Sequence, residues 1–208
     1  MRHLARREFV AGPAGRIECA VDAAQGAVRG TALVAHPHPL FGGSLDNKVA
    51  QTLARSLAEL GYVAWRPNFR GVGASEGRHD EGRGEVADLA AVLAHARGGA
   101  SGADAVVLAG FSFGAAMQAL LAEQLRGQGR APTRMVLVGI AVNHFTLPAV
   151  PGDTLLIHGE RDETVPLAAV LDWARPHELP VIVLPGADHF FHGRLHLLRT
   201  IVQRNWGA

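Results

Sequence analysis

The sequence predicts an α/β fold in which a mostly parallel, eight-stranded sheet carries helices on both faces. Apolar, strand-like runs alternate with segments of helical periodicity along most of the 208 residues. The chain opens on two short alternating segments joined by a glycine- and proline-containing turn at residues 11–15, which is typical of an antiparallel hairpin. Later apolar runs such as residues 30–36 do not alternate, as expected for strands that are buried on both faces.

Each strand is predicted from a short apolar run that ends at glycine, proline or a polar cluster. The eight runs cover residues 4–10, 16–21, 30–36, 62–67, 105–109, 135–140, 154–158 and 181–184. The first two form the hairpin, and the other six are expected to be parallel because helical segments separate most of them.

Five helices are predicted from apolar residues at helical spacing, over residues 45–60, 85–96, 115–125, 167–174 and 195–206. In the first helix Leu53 and Leu57 share one face, and Gly61 ends it. No repeat or linker interrupts this order, so we expect one domain over residues 1–208. Residues 141–153, between the sixth and seventh strands, are too few for a cap domain.

The composition is ordinary for a soluble globular protein, with 48% hydrophobic and 19% charged residues. The net charge of +1 gives no electrostatic basis for binding nucleic acid or an anionic membrane. The single cysteine, Cys19, excludes an internal disulfide and fits a reducing compartment. Residues 1–8 are basic but lead into no apolar segment, and no run is long enough to span a membrane. We therefore expect a cytoplasmic protein.

A serine lies at the turn between the fifth predicted strand and the next helix. Gly110 and Gly114 flank Ser112 in the pattern Gly-x-Ser-x-Gly. So sharp a turn strains the backbone at the serine and presses strand against helix, and both effects require small neighbours. The pattern can arise by chance in a glycine-rich chain, but its place between strand and helix favours a nucleophile whose hydroxyl is raised above the sheet edge.

An acidic loop follows the seventh strand, and a histidine-containing loop follows the eighth. The candidate acids and bases on these loops are Glu160, Asp162, Glu163, Asp188, His189 and His192. Ligands of parallel sheets bind where the strands end, so the chain order serine, acid, histidine predicts a serine hydrolase site. The shorter reach from the strand favours His189 over His192 as the base.

Each group in such a site has a physical task. A neutral hydroxyl is a poor nucleophile, so Ser112 needs a base to remove its proton. His189, with an unperturbed pKa near ~6.5, can take that proton and return it to a leaving group. Asp162 would accept the other imidazole N–H and fix the tautomer, and the N–H of Phe113 would donate to the oxyanion.

Five ordered motifs resemble those of the α/β-hydrolases, and the resemblance spans nearly the whole chain. The motifs are HPHPLFGG at residues 36–43, NFRGVGASEG at 68–77, GFSFG at 110–114, HGERD at 158–162 and GADH at 186–189. The first resembles the loop after the third strand in short-chain members of the dienelactone-hydrolase-like branch. Dienelactone hydrolases proper have a cysteine nucleophile, so a serine at that position moves this chain toward general serine esterases.

The resemblance implies an α/β-hydrolase fold without a cap domain, and it implies roles for single residues. Asp162 holds the family's position for the acid, before Val165, and His189 ends the family pattern Gly-Ala-x-His. Leu40 matches the family's second oxyanion donor, through its backbone N–H.

Other kinds of site are less well supported by the residues. His36 and His38 could place two imidazoles on one strand face, but no carboxylate pair or cysteine cluster accompanies them, so we expect loop packing and neither metal nor other cofactor. Residues 71–77 contain Gly-x-Gly without the spacing of a nucleotide-binding fingerprint. Arg70 could bind an acidic substrate, but we expect it to anchor the glycine-rich loop.

We therefore expect a serine hydrolase that cleaves small or short-chain carboxylic esters or thioesters. The aromatic residues expected to line an open acyl pocket are Phe41, Phe111, Phe145 and Phe190. The alternative is a non-catalytic protein of the same fold that binds a small molecule or a partner through a vestigial site. No sequence feature indicates an oligomeric state.

Overall fold

The eight strands of the computed structural model form one sheet in the order β1-β2-β4-β3-β5-β6-β7-β8. The structure describes residues 5–98 and 105–206. The strands are β1 (Arg6–Gly12), β2 (Gly15–Asp22), β3 (Gly30–Ala35), β4 (Tyr62–Pro67), β5 (Ala105–Phe111), β6 (Arg134–Val138), β7 (Leu155–Gly159) and β8 (Val181–Leu184). β2 pairs antiparallel with β1 and with β4, and the remaining neighbours are parallel. The predicted sheet, with its opening hairpin, is confirmed; Leu4, the predicted first strand residue, lies outside the described residues.

Helices cover both faces of the sheet, as predicted. They are α1 (Lys48–Glu59), α2 (Arg83–Gly98), α3 (Phe113–Gly127), α4 (Leu167–Ala174) and α5 (Leu195–Arg204). α1 and α5 bury their apolar faces in one core, and α2, α3 and α4 contribute to the other. β5 lies between the two cores, and six of its seven residues are buried. Its carboxyl end is therefore held rigidly at the middle of the sheet.

Helix α1 begins three residues later than predicted because a side chain ends the preceding loop. The Asn47 side-chain oxygen accepts the N–H groups of Val49 and Ala50, at 2.9 and 3.2 Å, and so caps the helix. Leu45, predicted to be helical, instead donates its buried N–H to the side chain of Asn68, at 2.8 Å. The loop after β3 is thereby tied to the loop after β4.

The closing helix ends at Arg204, two residues before the predicted end. Trp206 nevertheless packs in the core, where its indole N–H donates to the Tyr62 hydroxyl at 3.3 Å. The burial of this tryptophan therefore does not depend on the helix.

Residues 139–154, which join β6 to β7, contain no helix or strand. In many proteins a covering domain is built by a long insertion with its own secondary structure. The described part of the chain has no such insertion here, so the carboxyl ends of the central strands are not covered by a cap domain.

Candidate active site

Ser112 occupies a strained turn between β5 and α3. Its φ and ψ angles are 55° and −117°, in a region that non-glycine residues rarely adopt. Its N–H donates to the carbonyl of Val138 at 2.9 Å, which fixes the turn to the end of β6. A Cβ on Gly110 would lie 2.5 Å from the carbonyl oxygen of Gly114, and a Cβ on Gly114 would clash with the backbone at the end of β3. Both flanking glycines are therefore needed by close backbone packing, as the sequence predicted.

A continuous chain of hydrogen bonds joins Ser112, His189 and Asp162. The Ser112 Oγ lies 3.0 Å from His189 Nε2, and His189 Nδ1 lies 2.6 Å from Asp162 Oδ2. All three residues are buried, with 7% or less of their surface exposed. Because a carboxylate only accepts, Nδ1 carries the proton in this arrangement and Nε2 is free to accept the hydroxyl proton of the serine.

The loop after β7 holds the carboxylate of Asp162 in place. Its Oδ1 accepts the backbone N–H groups of Thr164 and Val165, at 2.9 and 2.8 Å. These two bonds satisfy one oxygen and leave Oδ2 directed at His189. The acid is thus oriented by its own turn.

The competing acids and the competing histidine are engaged elsewhere. The Glu160 carboxylate accepts the N–H of Gly186 at 2.6 Å. Asp188 accepts hydrogen bonds from both the backbone N–H and the ring of the exposed His192, and the ring hydrogen bond lowers the pKa of its carboxyl. Glu163 is exposed. Among the candidate acids and bases, Asp162 and His189 are therefore the two that the hydrogen-bond chain joins to Ser112.

The ring of His189 is held by apolar contacts and by a glycine. Phe111 and Phe190 lie with ring centroids 4.9 and 5.1 Å from the imidazole. A Cβ on Gly139, which has a φ of +53°, would lie 3.4 Å from the imidazole Cε1 and 3.3 Å from the Phe111 ring. The histidine therefore reaches Ser112 across the end of β6 through space that a side chain there would restrict. The apolar run predicts a strand over residues 135–140 that includes Gly139, whereas β6 ends at Val138 and leaves the glycine at the site.

The loop after β3 carries the second predicted oxyanion donor. Residues Pro39–Phe41 form a single 3₁₀ turn, and the Leu40 N–H donates to the Nδ1 of His38 at 3.2 Å. Burial and the neighbouring His79 lower the pKa of His38, which keeps that nitrogen available as an acceptor. The N–H of Phe113, the other predicted donor, opens α3, where a helix has no internal acceptor for it.

His36 is a structural residue with both ring nitrogens engaged. Its Nδ1 lies 2.6 Å from the carbonyl of Pro37, and its Nε2 accepts the N–H of Phe69 at 3.0 Å. The ring thereby joins the loops that follow β3 and β4, which is the loop role expected from the sequence. Burial lowers its pKa to about 4.

This shift predicts a loss of stability in mild acid. The unfolded chain takes up a proton at this histidine near the ordinary pKa of 6.5, whereas the folded chain does so only near pH 4. The free energy of unfolding should therefore be fully retained above pH 6.5 and should fall toward pH 4, by about 3 kcal/mol from this group. Urea denaturation from about pH 8 to about pH 4.5 checks it. His36→Gln should be less stable at high pH but lose less on acidification; equal losses in both proteins would contradict the assignment.

Arg70 anchors the glycine-rich loop, as expected. Its guanidinium forms two hydrogen bonds to the Asp88 carboxylate on α2, at 2.7 and 2.8 Å, and one to the carbonyl of Gly84.

Glu85, which has no role in the predicted site, is fully buried at the start of α2. Its carboxylate accepts the N–H groups of Asp80 and Gly82 and so organises the first turn of the helix. Its acidic side chain in the first helical turn was the available signal.

The predicted pocket aromatics differ in exposure. Phe41 is 86% exposed, with its ring 4.8 Å from that of His38, and Phe190 is 46% exposed next to the His189 ring. Phe145 is half-buried against Phe113. Phe111 is fully buried and contacts the His189 ring rather than open space.

A shallow cavity of about 370 Å³ adjoins His189 and Phe190. Its lining also includes the charged side chains of Arg161, Glu163 and Asp188. The space next to the imidazole is therefore more polar than an acyl pocket lined by aromatics alone.

The sheet order, the strained serine turn and the serine–histidine–aspartate chain are features of one class of proteins. Residues 38–152 match the family described as the alpha/beta hydrolase fold. The chain belongs to the α/β-hydrolase family. Among the described residues, no helix is long and apolar enough to cross a membrane.

The chain is similar to two solved structures and to one further protein sequence. XC6422 from Xanthomonas campestris, described as a member of the α/β serine hydrolases without a lid, is 34% identical, with a TM-score of 0.90 over 99% of this chain and 94% of that chain. An α/β serine hydrolase homologue from Coxiella burnetii is 38% identical, with a TM-score of 0.90 and full coverage of both chains. An uncharacterised protein of Rickettsia prowazekii, RP471, is 33% identical over 86% of this chain and 79% of its own length. The expected small, cap-less α/β-hydrolase is confirmed.

Proposed function

We propose that this α/β-hydrolase is a serine hydrolase, a single domain over residues 1–208, that cleaves small or short-chain carboxylic esters or thioesters through an acyl-enzyme. Ser112 is the nucleophile, His189 the general base and acid, and Asp162 the residue that orients the histidine. The observation that carries the proposal is the hydrogen-bond chain through these three residues, with distances of 3.0 and 2.6 Å.

The geometry supports a two-step acyl transfer. Ser112 Oγ attacks the carbonyl carbon while His189 Nε2 takes the hydroxyl proton. The imidazolium then gives this proton to the leaving alcohol or thiol as the bond to the carbonyl breaks, which leaves an acyl-serine. Water attacks the acyl group with His189 again as base, and the acid is released. Asp162 stays ionised throughout and stabilises the imidazolium.

The backbone N–H of Phe113 is proposed as one donor to the oxyanion. It lies at the positive end of α3, next to the nucleophile. The N–H of Leu40 is the second proposed donor. Because that N–H donates to His38 Nδ1 here, the bond must open or be shared when substrate binds.

Three observations support short substrates. Residues 139–154 form no cap, so nothing there encloses a long acyl chain. Phe41 and Phe190 offer exposed apolar surface on the loops that carry Leu40 and His189. The cavity beside the histidine is small and partly charged. A short acyl group resting on these rings fits this combination better than a long lipid tail.

A fluorophosphonate probe and a substrate series test the proposal together. The purified protein should be labelled rapidly, because only an activated serine reacts quickly with such a probe. Nitrophenyl esters of increasing acyl length and the matching thioesters should be hydrolysed fastest at the short end of the series.

Heat-denatured protein is the control for non-specific labelling. Absence of both labelling and turnover would favour the non-catalytic alternative, whereas fastest turnover on long-chain substrates would contradict the proposed substrate class.

A further inference from the structure

A second histidine lies beside Asp162 at the end of β7. The side chain of His158 is fully buried, and its Nε2 lies 2.9 Å from the carbonyl oxygen of Val165 and 3.4 Å from Asp162 Oδ2. Its Nδ1 has no hydrogen-bond partner among the described residues. The proposed acyl transfer does not use this residue, although it faces the same carboxylate oxygen that His189 contacts.

The protonation of His158 follows from its partners. A backbone carbonyl only accepts, so Nε2 must carry a proton. A second proton on Nδ1 would have no acceptor in the described surroundings, and burial lowers the pKa of the ring. His158 is therefore a neutral imidazole whose one N–H is directed at the turn that holds Asp162.

Burial of the His158 imidazole costs free energy unless its N–H donates a hydrogen bond. The three preceding residues of β7, Leu155–Ile157, are all apolar and buried. A buried imidazole with an unsatisfied nitrogen is less favourable there than another aliphatic side chain. The compensating contact is the one that the Nε2–H makes with the Val165 carbonyl and the edge of the carboxylate.

We propose that His158 is a positioning residue, whose Nε2–H ties the Asp162 turn to the end of β7 and keeps Oδ2 aimed at His189. The proposal rests on the hydrolase function proposed above. Two N–H groups of the turn hold Oδ1, and His158 fixes the carbonyl of one of the residues that supply them, Val165. Loss of this tie lets the carboxylate rotate away from the imidazole of His189.

The groups that face His189 decide how such a rotation would be detected. Asp162 is the charged group in contact with its ring, and His158 is the nearby neutral titratable group. Phe111 from β5, Gly139 from β6 and Phe190 from its own loop add no charge. The charged side chains of Arg161, Glu163 and Asp188 line the cavity that adjoins the ring, and a change at His158 leaves their charges in place. Weaker contact with Asp162 therefore destabilises the His189 imidazolium and moves the acid limb of the pH–rate profile to lower pH.

The test compares His158→Leu with His158→Gln in the full chain. His158→Leu removes the donor at similar volume, and we expect kcat per fluorophosphonate-titrated site to fall about 10-fold or more with KM within about 2-fold. The acid limb of kcat should move to lower pH. His158→Gln keeps an N–H donor and should restore most of kcat and the wild-type limb.

Ile157→Val, on the same strand, is the control for lost core packing. It should lower the Tm without changing kcat or the pH profile. If His158→Leu behaves like this control, the positioning role is wrong while the proposed hydrolase function stands. A wild-type protein that neither reacts with the probe nor hydrolyses any ester would instead overturn the proposed function itself.

Discussion

Ser112→Ala is expected to lower ester hydrolysis by roughly 10³-fold or more, which leaves only the acceleration that substrate binding and the oxyanion donors supply. Ser112→Ala removes the hydroxyl oxygen that lies 3.0 Å from His189 Nε2. No acyl-enzyme can then form, so labelling by a fluorophosphonate should disappear as well. Steady-state rates on a short nitrophenyl ester, with active sites counted by the probe in the wild-type protein, provide the measurement.

The same substitution should leave the fold intact. Ser112 has a φ of 55°, and alanine carries the same Cβ, so the strain of the turn is unchanged. The lost hydrogen bond contributes about 0.5–1.5 kcal/mol to stability, too little to unfold a typical domain. Thr200→Ala removes a hydroxyl from α5, whose partner is a backbone carbonyl of its own helix, and should retain wild-type activity. Wild-type turnover by purified Ser112→Ala would exclude this residue as the nucleophile.

The site is rigid because small residues bring three strand ends close together. Gly110 and Gly114 allow β5, α3 and the end of β3 to touch, and Gly139 leaves room for His189 above β6. The strained angles of Ser112 persist because its N–H is fixed to Val138 and its flanking residues are buried. Preorganisation of this kind means that little reorganisation is needed when charge develops in the transition state.

The fold could be predicted because its signals are local. Continuous apolar runs identified the buried strands, and β5 and β8 were placed to within about two residues. The predicted start of α1 is less accurate because periodicity alone does not locate a helix cap. The apolar periodicity begins at Leu45, but the Asn47 side chain caps the helix and so sets its first residue at Lys48. Side-chain capping overrides periodicity at such ends.

The parts of the site that could not be predicted depend on contacts between distant segments. His158 reads as one more residue of a buried strand, and its proximity to Asp162 becomes visible only when the loop after β7 is folded. The apolar run predicts that β5 ends at residue 109 and that Phe111 lines the open pocket, but the strand continues to Phe111 and buries its side chain. Pairing of Leu40 with His38 similarly depends on a turn that has no sequence signature of its own.

Asp162→Asn is expected to reduce kcat by about 10³- to 10⁴-fold near neutral pH while KM changes little. Asparagine has one acceptor oxygen, and the N–H groups of Thr164 and Val165 engage it where Oδ1 now lies. Its amide NH₂ then faces His189, so the imidazole must present Nδ1 as an acceptor and carry its proton on Nε2. That tautomer cannot take the proton of the nucleophile. Steady-state rates between about pH 6 and about pH 9 measure the loss.

Asp188→Asn is the matched control for this change. Asp188 is next to His189 in the chain, but its carboxylate pairs with the exposed ring of His192. Removal of that charge should change kcat by no more than about 3-fold, since exposed ion pairs contribute little. If both asparagine variants lost activity equally, catalysis would depend on negative charge near His189 in general and not on Asp162 in particular. Loss confined to Asp162→Asn would instead tie catalysis to the one carboxylate that fixes the tautomer of His189.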